Sequence, residues 1–135
     1  MWYEIARMPV IFEKDLVLVT ANYSLKKDGG VKVVNEGFKF SKDGKYAGVT
    51  GKAKFAGTPD VGHLRVSFFG PFYSDYIIVE LDPEYQWALV AGVSHDYLWI
   101  LARTPALDPA ILDRLVKRAA ELGFDTGRLI YVKQE

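Results

Sequence analysis

Apolar and polar side chains alternate along most of the chain, in short runs separated by Gly, Asp, Asn and Pro. Alternation with a period of two is typical of β-strands that bury one face. In the run 16–25, the polar residues Thr20, Asn22 and Ser24 fall between apolar ones. A second run, 47–55, alternates small apolar residues with Thr and Lys. The pattern predicts strands with one dry face and one wet face.

Turn segments that accept positive φ separate these runs, the clearest being 27–30 and 41–44, each of which ends on Asp-Gly or Gly-Gly. Their spacing predicts hairpins and therefore antiparallel neighbours. The predicted strands are 2–6, 16–25, 31–38, 47–55, 64–68, 76–81, 87–93 and 97–102.

The period changes after residue 107, where apolar residues begin to recur at helical spacing. Asp108 is a suitable N-cap, Pro109 fits the first helical position, and Gly123 suits the residue after the helix. We expect a helix over 108–122 and a short last strand over 129–133.

Eight strands in a meander, followed by one helix, favour a closed β-barrel. Closing the sheet on itself gives every strand a dry face and leaves no exposed edges. We therefore expect a single domain over 1–135 of the all-β class. Its barrel, over 2–103, is an eight-stranded antiparallel up-and-down β-barrel. One C-terminal α-helix packs outside the barrel, and the short final strand follows it.

Composition and charge exclude several classes of function. Seventeen basic and seventeen acidic residues give a formal net charge of zero, so there is no basic excess to attract nucleic acid, and no Lys- and Arg-rich stretch interleaved with aromatic residues appears. The chain has no cysteine, which excludes disulfides, thiolate metal sites and a cysteine nucleophile. Both histidines, His63 and His95, fall beside predicted turns without companion metal ligands. We expect no metal, no cofactor and no enzymatic activity.

The predicted inward face of 47–55 carries small side chains, which leave space in the barrel that larger ones would fill. A barrel of about eight strands is just wide enough to hold one small ligand or to be filled by its own side chains. Alternation alone leaves both possibilities open. Gly51 is also explained by a bend in its strand.

Several segments, in order along the chain, resemble lipocalin motifs. The start Trp2–Arg7 resembles the first motif of the family, 81–85 the second and 97–105 the third. Segments 19–35 and 66–72 are similar to bacterial outer-membrane lipocalins and to apolipoprotein D. The resemblance covers essentially the whole chain and implies a carrier of an apolar ligand, in this case a fatty acid or a lysophospholipid.

The resemblance also implies roles for residues. Trp2 is expected to plug one end of the barrel, with Arg103 packed across its indole in a structural contact. Trp99 is either a ligand contact or a packed core residue. Tyr23 and Asn35 place polar tips on an apolar face, where they either orient a ligand head group or satisfy internal hydrogen bonds. The full set of expected ligand-binding residues is Trp99, Tyr23, Asn35, Tyr97, Val33, Val49, Phe55, Val66 and Phe68.

For location, the resemblance implies an outer-membrane or periplasmic lipoprotein, held at the membrane periphery by an acylated cysteine. The 135 residues contain no cysteine and no signal segment, so the anchor rests on the resemblance alone. A homodimer is possible. Two alternatives stay open: an interaction or stress protein with a self-filled barrel, and a lipocalin-fold enzyme. The isomerase among lipocalins uses a barrel cysteine, which this chain lacks.

Overall fold

The structure is a computed structural model that describes residues 1–8, 16–25, 30–39, 46–55, 63–69, 72–92, 97–132 and 134. Its elements are the strands β1 (Trp2–Arg7), β2 (Leu16–Leu25), β3 (Val31–Lys39), β4 (Tyr46–Phe55), β5 (His63–Phe69), β6 (Phe72–Leu81), β7 (Trp87–Gly92), β8 (Leu98–Ala102) and β9 (Ile130–Tyr131), the helix α1 (Pro109–Glu121) and a 3₁₀ turn (Thr126–Arg128).

The strands pair antiparallel in the order of the chain, from β2 with β3 through to β7 with β8. β1 then pairs with β8 along one edge and with β2 along the other, which closes the first eight strands into a ring. β9 adds to the same edge of β1 as β2 does, further along the strand. The predicted eight-stranded antiparallel barrel with a C-terminal helix and a short last strand is confirmed.

The predicted start of the sixth strand, at Tyr76, was wrong. β6 begins at Phe72, because Phe72 already pairs with Phe69 of β5. The two predicted turns 27–30 and 41–44 lie, except for Gly30, outside the described residues.

The helix α1 forms where its capping residues predict it. The Asp108 carboxylate accepts a hydrogen bond from the Ala110 backbone N–H at 2.9 Å, Pro109 stands in the first turn, and Gly123 adopts a φ of 94° after the helix ends. In the described ranges no helix is both long and apolar enough to cross a membrane.

One face of α1 packs on the outside of the sheet. Leu115 and Ala119 are fully buried in a cluster with Leu89 and Ile100 of the barrel wall. Arg114, on the rim of this contact, pairs with Glu80 at 2.6 Å and lies 4.9 Å from the centre of the Trp87 ring. The helix therefore covers the outward face of β7 and β8, and the opposite face of these strands points into the ring.

Candidate ligand-binding site

The inward face of the barrel carries two apolar clusters. The first consists of Ala88, Val90 and Leu101 with partly buried neighbours that include Trp99 and Tyr76. The second consists of Val31, Val33 and Ala53, with Tyr23 packed against it. Residues that pair directly across two antiparallel strands share a face, so the ladder extends this assignment from strand to strand.

Two tyrosines meet across the ring. The hydroxyl groups of Tyr23 on β2 and Tyr76 on β6 lie 2.7 Å apart, which is a hydrogen bond. β2 and β6 are four strands apart in both directions around the ring. Eight strands about 4.8 Å apart and tilted by about 40° form a ring about 16 Å across. The pair, which we call the tyrosine crossbar, therefore spans the barrel lumen.

Trp99 adjoins the crossbar. Its ring centre lies 5.8 Å from that of Tyr76 and 6.2 Å from that of Tyr97, with the Tyr97 ring stacked nearly parallel to it. Trp99 is half-buried, whereas 39% of Tyr97 is exposed. The side chain of Tyr97 packs directly over Gly92, where a Cβ would lie only 2.5 Å from the Cβ of Tyr97.

A buried ion pair lies on the same inner face. The Arg7 guanidinium Nη1 is 3.4 Å from the Glu4 carboxylate Oε1, and both side chains are almost fully buried. Glu4 pairs across the ladder with Leu101, and Arg7 with Trp99, so both point into the barrel. Three residues apart on a regular strand, they would face opposite ways. The register shift between Glu4 and Ala6 inserts one extra residue and turns Arg7 inward.

Arg103 and Trp2 form a contact at the end of the barrel where β1 begins and β8 ends. The guanidinium carbon of Arg103 lies 3.9 Å from the centre of the Trp2 ring, in cation–π geometry. Its Nε donates to the Tyr85 carbonyl at 3.1 Å and its Nη1 to the Met1 carbonyl at 3.4 Å. Tyr85 itself adopts a φ of 58° in the turn. The contact joins the chain start to the β6–β7 turn.

The remaining expected ligand contacts are described less fully. Val33 is buried on the inner face beside Tyr23. Asn35 pairs across the ladder with Ala21 and with Val49. Among the expected ligand-binding residues, five have side chains that lie outside the described part of the structure: Asn35, Val49, Phe55, Val66 and Phe68.

Among the polar and charged residues that the structure brings to the inner face, sequence reasoning missed Glu4, Arg7 and Tyr76. The alternation pattern assigned Tyr76 to a strand, but its meeting with a tyrosine 53 residues away follows only from the closed ring. The sequence shows two opposite charges three residues apart in Trp2–Arg7, but alternation alone assigns them to opposite faces of the strand.

Among the described residues, no group of three or more His, Asp or Glu side chains could hold a metal ion. His95 and the side chain of His63 lie outside the described part of the chain. The described inner face therefore offers aromatic rings, hydroxyl groups, aliphatic side chains and one ion pair.

A closed up-and-down barrel of eight strands, with aromatic side chains on its inner wall and a helix on its outer wall, is an architecture that small-ligand carriers use. The model of a lipocalin-like domain matches residues 1–134. The chain belongs to the lipocalin family.

Named relatives agree with this assignment. The chain is 47% identical over 135 residues to the outer membrane lipoprotein Blc of Vibrio cholerae, an alignment that covers 99% of this chain and 78% of the relative. It is 47% identical over 133 residues to Blc of Escherichia coli (strain K12), covering 98% and 75%. Apolipoprotein D of Rattus norvegicus is 37% identical over 122 residues, covering 84% and 62%.

Solved structures share the fold. Lobster apocrustacyanin A1 superposes with a TM-score of 0.75 at 19% identity, covering 99% of this chain and 76% of that one. The possum milk whey lipocalin trichosurin, solved with bound 4-ethylphenol, gives a TM-score of 0.68 at 13% identity, covering 96% and 92%. Membership of the family, together with the Blc and apolipoprotein D relatives, is consistent with the binding of small hydrophobic ligands.

Proposed function

We propose that the chain binds a single-chain amphiphile, a fatty acid or a lysophospholipid, inside the barrel, and that it does so without catalysing a reaction on it. The acyl chain lies against the inner apolar clusters, and the polar group of the ligand hydrogen-bonds to the tyrosine crossbar. The observation that carries the proposal is the crossbar itself, which places two hydroxyl groups in the lumen between two clusters of aromatic and aliphatic side chains.

The physical argument has two parts. Each methylene removed from water contributes about 0.8 kcal/mol, so an acyl chain supplies most of the binding free energy without a specific polar contact. A buried polar head group loses that gain unless it finds hydrogen-bond partners. Because a hydroxyl both donates and accepts, Tyr23 and Tyr76 can exchange their mutual hydrogen bond for bonds to a carboxylate or an ester.

Trp99 supplies the reporter for a direct test. It is half-buried and stacks between Tyr76 and Tyr97, so an acyl chain in the lumen changes its environment. Purified, delipidated protein is titrated with oleate and with lysophosphatidylcholine below their micellar concentrations while tryptophan emission is recorded. We expect saturable quenching at micromolar concentration. Absence of any saturable change with both ligands, in fluorescence and in native mass spectrometry, would overturn the proposal.

The role of the crossbar has a separate test. Tyr76→Phe removes one hydroxyl and keeps the ring, so oleate affinity should fall about threefold to tenfold, as expected for one lost hydrogen bond. Tyr85→Phe is the matched control, because Tyr85 lies exposed in the β6–β7 turn. If Tyr76→Phe binds oleate as tightly as the unmodified chain, the head group does not bind at the crossbar.

A self-filled barrel is the second candidate, and the same inner wall supports it. Val33, Ala53, Val90 and Leu101 are nearly fully buried by other side chains of the barrel, and the crossbar gives each tyrosine hydroxyl group a hydrogen-bond partner. This candidate predicts a chain that purifies without lipid and gains no thermal stability from oleate. A ligand that binds only the folded chain raises its melting temperature instead.

The proposal extends to location and assembly. The names of the Blc relatives support attachment to the outer membrane, which for this chain requires a lipid anchor outside the 135 residues. Fractionation of cells that express the native gene tests this location, and recovery in the soluble cytoplasmic fraction overturns it.

The proposal also includes a homodimer, supported by a net charge of zero that removes one barrier to association. Light scattering at micromolar concentration measures it.

A further inference from the structure

The junction between β1 and β2 is where the ring closes, and the hydrogen-bonded register described there pairs Trp2 with Ala21 and Tyr3 with Thr20. The next pair in the same register would be Glu4 with Val19. At that position β1 begins to leave β2, because further along its edge Ala6 pairs with Tyr131 and Arg7 with Ile130 of β9. The two strands therefore separate at Glu4 and Val19.

Gln134 occupies the point of separation. Its side-chain Nε2 donates to the Glu4 carbonyl of β1 at 2.6 Å and to the Val19 carbonyl of β2 at 2.7 Å. Both partners are acceptors, so the amide must present its nitrogen and not its oxygen to them. One side chain thus joins the two strands at the register position where their own pairing would come next.

The residues before Gln134 lead it to this position. Ile130 and Tyr131 pair with β1, and the Val132 backbone N–H donates to the Ile5 carbonyl at 2.9 Å. The C-terminal segment thus follows the edge of β1 antiparallel and ends in a side chain that crosses to β2. Glu4, whose carbonyl accepts from Gln134, is also the residue whose carboxylate pairs with Arg7 inside the barrel.

We propose that Gln134 is a latch that closes the barrel wall between β1 and β2 and so slows the passage of ligand into and out of the lumen at this junction. The part that concerns ligand rests on the proposed function, whereas closure of the wall does not. Gln134 is a positioning residue, since it acts through the strands and touches no ligand.

The test uses Gln134→Glu, which keeps the shape of the side chain and replaces the donating nitrogen with a carboxylate oxygen that repels both carbonyls. Gln134→Ala is the second variant, in case the charge prevents folding. Gln86→Glu is the matched control, because the Gln86 amide donates to the Glu84 carbonyl in an exposed turn. The full 135-residue chain is used throughout.

Backbone hydrogen exchange measures the closure of the wall between β1 and β2 in the absence of ligand. We expect exchange in Trp2–Arg7 and at residues 19–21 to rise about tenfold in either Gln134 variant, with exchange in β7 and β8 unchanged. The control should leave exchange in all these segments as it is. Unchanged exchange in β1 and β2 in both variants would overturn the latch, whether or not the chain binds lipid.

Stopped-flow fluorescence with oleate reads the effect on ligand passage. Loss of the latch lowers the barrier to passage and leaves the bound state unchanged, so in the Gln134 variants the association and dissociation rates should both rise about threefold to tenfold while Kd stays within twofold. A residue that merely supports the pocket would raise the dissociation rate and Kd together, and that pattern overturns the proposal. Absence of oleate binding by the unmodified chain contradicts the proposed function and the ligand part of the latch, and leaves the exchange result as the test of closure.

Discussion

Glu4→Gln should be among the most destabilising single-atom changes available in the barrel wall. The Glu4 carboxylate is 3% exposed and faces the Arg7 guanidinium at 3.4 Å. At that distance, with an effective dielectric constant of about 20, the attraction between unit charges is about 5 kcal/mol. The amide of glutamine can still accept a hydrogen bond, but it leaves the charge of Arg7 buried with less compensation. Removing one member of such a pair costs about 3 to 5 kcal/mol.

Urea unfolding, followed by tryptophan emission, measures this loss directly. We expect the free energy of unfolding to fall by about 3 kcal/mol with an unchanged m-value, and the melting temperature to fall by about 10 °C for a chain of this size. Glu121→Gln is the matched control, because Glu121 is exposed and lies 3.9 Å from the Arg118 guanidinium on the helix surface. It should change the free energy of unfolding by less than about 0.5 kcal/mol.

A loss below about 1 kcal/mol for Glu4→Gln, with the m-value preserved, would refute the reasoning. It would mean that Arg7 is neutralised mainly by groups other than Glu4, and that the ion pair on the inner face contributes little to holding β1 in place.

Three further predictions concern the outer wall, the barrel end and the aromatic stack. Leu115→Ala should lower the free energy of unfolding by about 3 kcal/mol in urea, because it opens a cavity between helix and barrel, and it should leave oleate affinity unchanged. Arg103→Lys should lower it by about 1 kcal/mol, since an ammonium group replaces neither the stacking on the indole nor the Nε hydrogen bond. Gly92→Ala should displace Tyr97 from Trp99, which a shift in tryptophan emission and a loss of about 1 to 3 kcal/mol would record.

Each of these has a contrary outcome. Weaker oleate binding in Leu115→Ala would mean that the packing of the helix on the outer wall affects the ligand-binding lumen. A melting temperature for Arg103→Lys equal to that of the unmodified chain would assign the contact with Trp2 no net stabilisation. Unchanged emission in Gly92→Ala would mean that the backbone of β7 moves and Tyr97 does not.

The fold was predictable because its signals are local. Alternation identified the eight barrel strands, and Asp108, Pro109 and Gly123 marked both ends of the helix. These features depend on residues within a few positions of one another, so they can be read from the sequence alone.

The inner wall was less predictable, because register shifts change its parity, as two of them show. The register shift at Glu4 brings Arg7 inward, and a second shift between Ile78 and Glu80 places Val79 against the outer cluster, so that Ile78 and Leu81 both join the inner one. A strict period of two assigns such residues to opposite faces. Nothing in the local sequence marks where the extra residue enters.

The crossbar and the Gln134 contacts could not be predicted from the sequence for a different reason. Tyr23 and Tyr76 are 53 residues apart, and Gln134 is 130 residues from Glu4 and 115 from Val19. These contacts exist only because the ring closes with a particular tilt and the C-terminal segment returns to β1. Their positions therefore depend on global geometry that no segment encodes by itself.

The hydrogen bond from Arg103 to the Met1 carbonyl holds Met1 at the end of the barrel that also carries the β6–β7 turn. The connections from β1 to β2, β3 to β4, β5 to β6 and β7 to β8 all leave from the other end. A chain tethered to a bilayer through residues preceding Met1 would thus stand with the Trp2 end toward the lipid surface and the other end toward the aqueous space. A ligand that enters the lumen from that far end would have to leave the bilayer first, which suits a molecule soluble enough to cross water as a monomer.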